Sequence, residues 1–511
     1  MTSKVRVRFA PSPTGALHIG GLRTALYNFL FARKHQGTFV LRIEDTDQSR
    51  LVTGAEDYIL KALHWLDIAP DEGPEQGGPY APYRQSERAD IYRQYAMQLM
   101  EEGKAYYAFD TPEELDAMRQ RLKEAKVAFQ QYNSITRTSM RNSLTMSPGE
   151  VEELMAQEVP YVVRLKIPPK EDIRFQDRIR GWVKVHSSTI DDKVILKSGG
   201  LPTYHLANVV DDHLMEITHV IRGEEWLPSA PLHVLLYRFL GWEHEMPEFA
   251  HLPLILKPDG NGKLSKRDAD KQGFPIFPLT WKDPQTREMS EGFKEKGYLP
   301  AALVNFLAML GWNPGNEEEL FSVKELIEAF SLDRIVKSGA KFDISKAQWF
   351  NQQYIRELPV SELENHLREK LKDHGHDAND EKLKAVVNLL AERITFADDL
   401  WQQGKILFEA PAQYDMALAQ KKWNPEAAEF LQNYQKALDT LKVFDSDHLH
   451  QLLKEQLEAV SWGFGKVMPS LRLALTGEGR GPDLMKIMEI LGKDETGDRI
   501  SWAVEKLAHI N

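Results

Sequence analysis

No cysteine occurs among the 511 residues. That removes disulfides, thiolate nucleophiles and cysteine-ligated zinc. A reducing compartment is consistent with this, and a cytoplasmic location is expected. No apolar run approaches the ~18 residues that a membrane helix needs. The most apolar stretch, Ala301 to Leu310, is short and interrupted by Asn305. The opening residues Met1-Thr-Ser-Lys-Val-Arg-Val-Arg have no apolar core, so secretion is not supported. Glycine (32) and proline (27) are too few for a collagen-like or low-complexity chain. Basic charge is not in excess. The 64 basic and 76 acidic residues give a formal charge of −12, which argues against bulk coating of nucleic acid. A local basic patch is compatible with that balance, because screening makes near charges count most. One runs through Arg119, Arg121, Lys123, Lys126, Arg137 and Arg141, opposed only by Glu124. The usual meaning of such a run is a solvated helix face.

The length calls for roughly three domains at ~150 residues each. Val5, Val7 and Phe9 alternate with Arg6 and Arg8, a period of two that reads as a strand. Pro11-Ser-Pro-Thr-Gly15 is turn chemistry, and Leu22 to Ala32 has helical spacing. A second strand fits Thr38 to Ile43. A second helix fits Thr53 to Leu66, with Thr53 and Glu56 as a capping box. Alternating strand and helix predict a doubly wound parallel sheet. Residues 111–190 look like an α+β insertion that divides this α/β domain into 1–110 and 191–250. Pro231 stands at the first turn of a helix reaching Trp242. Residues 251–345 form a connecting region. Beyond it, 346–511 reads as all-α: Leu383, Val386, Val387, Leu390 and Ile394 share one helical stripe. Asn424-Pro425 opens another helix, with Phe430, Leu431, Tyr434, Leu438 and Leu441 inward.

Four stretches carry chemistry. His18-Ile-Gly-Gly21 follows a strand and a turn and opens a helix, whose free N–H groups attract an anion. Lys263-Leu-Ser-Lys-Arg267 follows a glycine-rich loop and suits the clamping of a triphosphate. Arg42-Ile-Glu-Asp-Thr-Asp47 lies at a strand's carboxyl end, where ligands of open α/β sheets bind, and Glu44 is suited to an ammonium group. Tyr204 and Asn208 lie four apart on one helix face. Asp211, Asp212 and His213 beside them read as a structural network, since consecutive residues do not converge easily on one ion. Taken singly, each stretch is more often a capped turn or a solvated loop.

Together, in this order and spacing, they resemble the bacterial-type glutamyl-tRNA synthetases of class I. The resemblance rests on Arg8-Phe-Ala-Pro-Ser-Pro-Thr-Gly15, His18-Ile-Gly-Gly21, Arg42 to Asp47, Pro82-Tyr-Arg-Gln-Ser-Glu-Arg88, Pro202 to His213, Arg222 with Glu224-Glu225-Trp226, and Lys263 to Arg267. Leu307 to Trp312, Phe342-Asp343 with Trp349, and Leu475-Thr-Gly477 extend it over the whole chain. It implies a Rossmann-like catalytic domain with the insertion holding the tRNA acceptor end. A stem-contact region carrying the lysine loop and an α-helical anticodon-binding region follow. The implied activity is that of a glutamate–tRNA ligase: L-glutamate is activated by ATP, with Mg²⁺, and passed to the 3′-terminal adenosine of tRNA(Glu).

By the same resemblance His18, Lys263 and Lys266 are catalytic. His18, Gly20, Gly21, Glu225, Trp226, Lys263 and Lys266 bind ATP. Arg8, Ala10, Ser12, Glu44, Tyr204, Asn208 and Arg222 bind glutamate, with Arg8 and Arg222 reading carboxylates through their guanidinium forks. A monomer is the default. Ala108 and Asp110 stand after Tyr107, where some relatives carry zinc cysteines, so no zinc is expected. Phe274 to Gly292 is longer than expected, a loop near the site of unassigned role. Gly21 takes the place of a second histidine in the broader class motif. A catalytically silent tRNA-binding paralogue, a glutaminyl-tRNA synthetase and a short paralogue that glutamylates a tRNA base are the competing readings. They are weakened respectively by the intact motif residues, by Pro11-Ser-Pro-Thr-Gly15, and by the helical last third.

Overall fold

A computed structural model describes residues 4–509. Strand β1 (Arg6–Phe9), helix α1 (Ile19–Lys34), strand β2 (Thr38–Leu41) and helix α2 (Ala55–Trp65) open the chain, followed by α3 (Ala89–Glu101) and β3 (Ala105–Ala108). Then come α4 (Pro112–Glu124), α5 (Pro148–Ala156), β4 (Val162–Leu165), β5 (Asp172–Asp177), β6 (Gly181–His186) and β7 (Val194–Leu196). Helix α6 (Tyr204–Leu214), β8 (His219–Gly223), α7 (Ala230–Phe239), β9 (Glu248–Leu252) and β10 (Ile255–Leu256) return to alternation. Helix α8 (Lys266–Gln272), the pair β11 (Trp281–Lys282) and β12 (Met289–Ser290), and α9 (Pro300–Met309) complete the elements that matter to the site. The chain divides into two compact units. One runs to Lys296 and includes Pro300–Lys346; the other is Gly297–Leu299 with everything from Ala347.

The first unit is built on a six-stranded sheet in the order β2-β1-β8-β9-β5-β6. All pairings are parallel except β5 with β6. A parallel sheet is covered on both faces. This is why β1 does not alternate between core and solvent. Val7 and Phe9 are buried, and Arg8 is buried as well, held by an acidic partner. The ribbon β5–β6 extends this main sheet, although it falls within the stretch 111–190. β3, from the stretch before it, instead joins β4 and β7 in a separate three-stranded antiparallel sheet. Strand pairing between distant segments is invisible to local periodicity.

Two local expectations are corrected. The second helix starts at Ala55, not Thr53: Gly54 is its N-cap at φ 83° with no side-chain cap. Glu56 is then the second residue of the helix, out of step with a capping box on Thr53, and its carboxylate pairs with Arg84 at 2.8 Å. In the basic run, Arg137 is buried and pairs with Asp192 at 3.0 Å, so it belongs to the core rather than to a surface patch. Arg119 pairs with Asp116 and Arg141 with Glu114. Arg121, Lys123 and Lys126 stay exposed and form no ion pair among the described residues. Asp110 accepts hydrogen bonds from Tyr132 and the Arg141 amide, so it anchors this loop.

The second unit is helical, from Val360–Asp373 through Lys493–Lys506. Its core joins Leu367, Leu383, Val386, Val387, Leu390, Leu431, Tyr434, Leu471 and Ile487. Asn424 caps the helix Pro425–Leu438 by accepting the Ala427 N–H at 2.8 Å. Leu441 lies beyond that helix's end and is only half-buried. Among the described residues no helix is long and apolar enough to cross a membrane.

The expected keystone of the first unit is a buried ion network. Arg42 donates to Asp212 at 2.7 Å and to Glu44 at 3.1 Å, and lies 3.8 Å from Asp211. Removing one partner of such a network leaves charges buried without compensation, which costs ~3–5 kcal/mol. Arg42→Met is expected to lower stability by that amount in urea unfolding. A loss below ~1 kcal/mol, the worth of an exposed pair, would refute the keystone role.

Candidate active site

The carboxyl ends of β1, β2, β8 and β9 open into a cavity of about 250 Å³. Arg8, Ala10 and Ser12 enter it from the end of β1, and His18, Gly20 and Gly21 from the start of α1. Glu44 comes from beyond β2, Tyr204 and Asn208 from α6, Arg222, Glu225 and Trp226 from β8 and the turn after it, and Lys263 from the glycine-rich loop. Of the residues expected from the sequence, Lys266 alone does not line it. It sits at the start of α8, 3.3 Å from Glu288. That glutamate belongs to the long stretch 274–292, which folds into the β11–β12 hairpin. The stretch is anchored rather than loose. Tyr58 donates to the Leu279 carbonyl and packs edge-on against Trp281, while Ile276 itself lines the cavity.

His18 caps α1: its Nδ1 accepts the Gly20 N–H at 2.9 Å. That bond places the imidazole proton on Nε2. Desolvation by the cavity walls lowers the ring's pKa and the Lys263 ammonium lowers it further, against the pull of Glu225. A neutral ring with an Nε2–H is a donor for a phosphate oxygen. The glycines are explained by space. A Cβ at residue 20 would stand 2.7 Å from the His18 ring, and one at 21 would stand 2.6 Å from Leu17.

The floor of the cavity is ionic. Arg8 binds Asp212 with two hydrogen bonds, 3.0 and 3.2 Å, and Arg42 shares the same carboxylate. Burial pushes the Asp212 carboxyl up, but the two guanidinium groups outweigh it and hold it below its ordinary range. Asp211 accepts from Gln85, Arg88 and Tyr92. His213 turns away, stacked on Trp242 at 3.7 Å. The Asp211–Asp212 pair is thus the structural network expected of it. Only Nη1 of Arg8 makes no hydrogen bond among the described residues, so its full fork is not open to a ligand. Glu44 accepts from Arg42 and Asn208, both on Oε1, leaving Oε2 without a hydrogen bond from the described residues. Burial raises its pKa despite Arg42 and Arg8.

At the other wall, Arg222 donates to the Tyr204 hydroxyl oxygen at 2.7 Å. Burial raises the Tyr204 pKa to about 12, so its O–H remains available to donate. Trp226 lies against the Tyr204 ring, centroids 4.5 Å apart. Lys263 pairs with Glu225 at 3.0 Å.

Sequence reasoning missed several residues here. Arg23 is fully buried on the cavity wall, donating to the carbonyls of Leu310 and Pro253. His251 and His233 pack around Arg222. The signal for His251 was present, a lone histidine in the apolar run Phe249 to Leu256. Arg23 gave none that set it apart from an ordinary helix arginine.

Comparison with known proteins gives this geometry a family. Residues 4–349 match the family described as tRNA synthetases class I (E and Q), catalytic domain, and 360–504 match an anticodon binding domain. A glutamate–tRNA ligase of Cytophaga hutchinsonii is 60% identical over 506 residues, 99% of this chain and 98% of that one. The chain belongs to the glutamate–tRNA ligases. The glutamate–tRNA ligase of Amoebophilus asiaticus is 58% identical over 99% of this chain and 98% of its own. A crystal structure of a glutamate tRNA ligase from Elizabethkingia meningosepticum, in complex with its amino acid, superimposes with a TM-score of 0.94 at 50% identity. It covers 99% of this chain and 100% of that one. The expected α/β catalytic part with an inserted antiparallel sheet, followed by an all-helical anticodon-binding region, is the fold of this ligase. Without cysteine, a zinc site of the cysteine type cannot form in it.

Gly20→Ala in this ligase pushes the His18 ring off its place while leaving the core intact. A misplacement of about 1 Å costs on the order of 10²-fold in rate. ATP–pyrophosphate exchange is expected to fall by roughly that factor, with the melting temperature unchanged. Exchange at the wild-type rate would show that the capped ring is not needed.

Proposed function

We propose that this cavity activates glutamate with ATP. A glutamate α-carboxylate oxygen bonds to the α-phosphorus as the bond to the β-phosphate oxygen breaks and pyrophosphate leaves. A ribose hydroxyl oxygen of the 3′-terminal adenosine of tRNA(Glu) then bonds to the glutamyl carbonyl carbon as its bond to the phosphate oxygen breaks and AMP leaves. What supports this reading is the convergence, on one hollow, of a cationic and polar wall and of a capped histidine beside a lysine loop.

Glu44 Oε2 receives the α-ammonium. Arg222, Tyr204 and the remaining Nη1 of Arg8 donate to carboxylate oxygens. His18 and Lys263 donate to the phosphates, and Lys266 joins them when the loop exchanges Glu288 for the triphosphate. The charge of the pentacoordinate α-phosphate is met by donors already in place, so catalysis is positioning and electrostatic stabilisation. Magnesium enters with the nucleotide as part of the substrate. Glutamine would set its amide donors against guanidinium donors. A site left unpaired in that way discriminates by ~10⁴–10⁵ without editing.

In this reading 1–110 and 191–250 carry the chemistry, together with β5–β6 and the lysine loop Lys263 to Arg267 of the stem-contact region. The remainder of 111–190 holds the acceptor end, helped by Arg121, Lys123 and Lys126. Residues 251–345 contact the stem and 346–511 read the anticodon. The chain works as a monomer in the cytoplasm.

The deciding measurement is ATP–pyrophosphate exchange and charging of purified tRNA with labelled glutamate and glutamine. Exchange that requires glutamate, and charging of tRNA(Glu), are expected; no exchange even with tRNA present ends the reading. Lys266→Ala is expected to lower exchange by ~10²–10³-fold with little change in the Michaelis constant for glutamate. An unaltered rate would remove Lys266 from the chemistry.

The raised pKa of Glu44 gives a pH dependence with a definite sign. Its carboxylate is needed for the ammonium and is lost as pH falls through a value above the ordinary carboxylate range. The Michaelis constant for glutamate is therefore expected to climb on acidification at a higher pH than an unperturbed glutamate would give. Glu44→Gln is expected to show a high constant that no longer follows pH in that window; a profile identical to wild type would exclude Glu44.

A further inference from the structure

Three neighbouring strands of the main sheet carry a row of ionisable side chains behind the cavity. Arg222 on β8 lies in register with His251 on β9. β9 in turn pairs with β5, at whose end Asp177 stands. Arg222 Nε donates to His251 Nε2 at 3.0 Å, and His251 Nδ1 meets Asp177 Oδ2 at 2.6 Å. His251 and Asp177 are fully buried. Asp177 Oδ1 accepts the N–H groups of Ile179 and Arg180 at 2.9 and 2.8 Å. Phe249, two residues before His251 and on the same face of β9, lies beneath the Arg222 guanidinium at 5.9 Å.

The row has one consistent proton arrangement. Arg222 can only donate, so His251 Nε2 must accept. The imidazole is then neutral, with its proton on Nδ1, donated to Asp177. Burial drives the His251 pKa down to about 4, Asp177 opposing and Arg222 assisting, so the ring stays neutral at physiological pH. The other edge of Arg222 is engaged as well. Nη1 donates to Tyr204 and lies 3.5 Å from His233 Nδ1, and Nη2 approaches the Trp226 carbonyl at 3.4 Å. A guanidinium has five N–H groups. With four directed to the protein, one is left, on a side chain that lines the cavity.

We propose that Asp177 and His251 are positioning residues for Arg222, fixing its guanidinium as a directed donor to the side-chain carboxylate of glutamate and thereby setting the preference for glutamate over glutamine. This rests on the reading of Arg222 given above. An arginine free to swing could offer another edge, or let a water bridge it to an amide. One pinned on Nε by an obligate acceptor cannot. The row also supplies a counter-charge behind the guanidinium, so the buried cation needs no carboxylate inside the cavity, where an acid would compete with the substrate.

Asp177→Asn is the sharpest test, because it changes no shape. The introduced amide keeps its oxygen on the two backbone N–H groups, which turns its NH₂ toward His251 Nδ1. The imidazole proton is then forced to Nε2, against the Arg222 N–H. Leaving buried donors facing each other costs roughly 10–100-fold in equilibrium terms. In pyrophosphate exchange, the glutamate Michaelis constant is expected to rise and the glutamate-over-glutamine preference to fall by about that factor. The ATP Michaelis constant is expected to stay within about two-fold, since neither Asp177 nor His251 hydrogen-bonds to a residue read as ATP-binding. His251→Gln, which retains an acceptor for Arg222, is expected to behave closer to wild type than His251→Leu.

Arg222→Ala, measured alongside, separates the two levels. If it leaves glutamate recognition unchanged, the reading of Arg222 itself is wrong. If it impairs recognition while folded Asp177→Asn does not, only the positioning proposal falls. Equal losses in glutamate and ATP constants, or a lowered melting temperature with unchanged selectivity, would mean a purely structural role and also overturn it. Should the variants not fold, the ¹⁵N shifts of His251 in the wild-type chain decide. A neutral ring protonated on Nδ1 at pH 7 supports the row, and an Nε2–H tautomer or an imidazolium refutes it.

Discussion

Two adjacent aspartates on α6 hold the catalytic unit in register. Asp211 faces Gln85, Arg88 and Tyr92, while Asp212 faces Arg8 and Arg42. The partners come from β1, from beyond β2 and from the start of α3, so one helical turn ties together segments remote in the chain. Charges this deep are costly to desolvate, and the network is worth having only when it is complete. The pairing is a source of specificity: α6 cannot shift along the sheet without stranding two carboxylates. Because Tyr204 and Asn208 ride on the same helix, fixing α6 fixes their wall of the cavity.

The sequence made the site's membership legible better than its internal wiring. His18, Glu44, Tyr204, Arg222 and Lys263 could be named because the motifs that carry them resemble those of a known family, and the first four also sit near a strand end or helix start, where an α/β sheet puts its ligands. What they do for one another was not legible. Arg8 looked like an open fork for a carboxylate, yet Asp212, 204 residues on, takes two of its donors. Arg137 looked like part of a basic surface, yet Asp192 draws it inside. Thr53 and Glu56 fit a capping box, but the helix starts at Ala55 and the glutamate pairs with Arg84. In every case a charge was misjudged because its partner is remote in the chain, and spacing rules see only neighbours.

The ribbon β5–β6 makes the same point for the fold. Its residues alternate cleanly as Asp172, Ile173, Arg174, Phe175, Gln176, Asp177, with Ile173, Phe175 and Asp177 inward. The local pattern predicts a strand and does not reveal which sheet it joins. Membership of the main sheet is decided by one parallel junction with β9, and that junction brings Asp177 behind the amino-acid wall.

The cavity's charges fall into two kinds, and the difference lies in the solvent around them. Arg8–Asp212 and the row behind Arg222 are buried, so their geometry is costly to change and suits the reading of a small, fixed ligand. Lys263–Glu225 and Lys266–Glu288 are partly exposed, with side chains about 40–70% accessible. In water two unit charges 4 Å apart attract by only ~1 kcal/mol, and exposed pairs are worth ~0–1 kcal/mol in practice. On the proposed reading a triphosphate carrying several negative charges therefore outcompetes a single glutamate for either lysine at little cost. In that reading the loop waits with its cations paired to Glu225 and Glu288 and releases them to the nucleotide. On the proposed reading the buried half of the site is preorganised for selection and the exposed half for exchange, a division that follows the solvent around each pair.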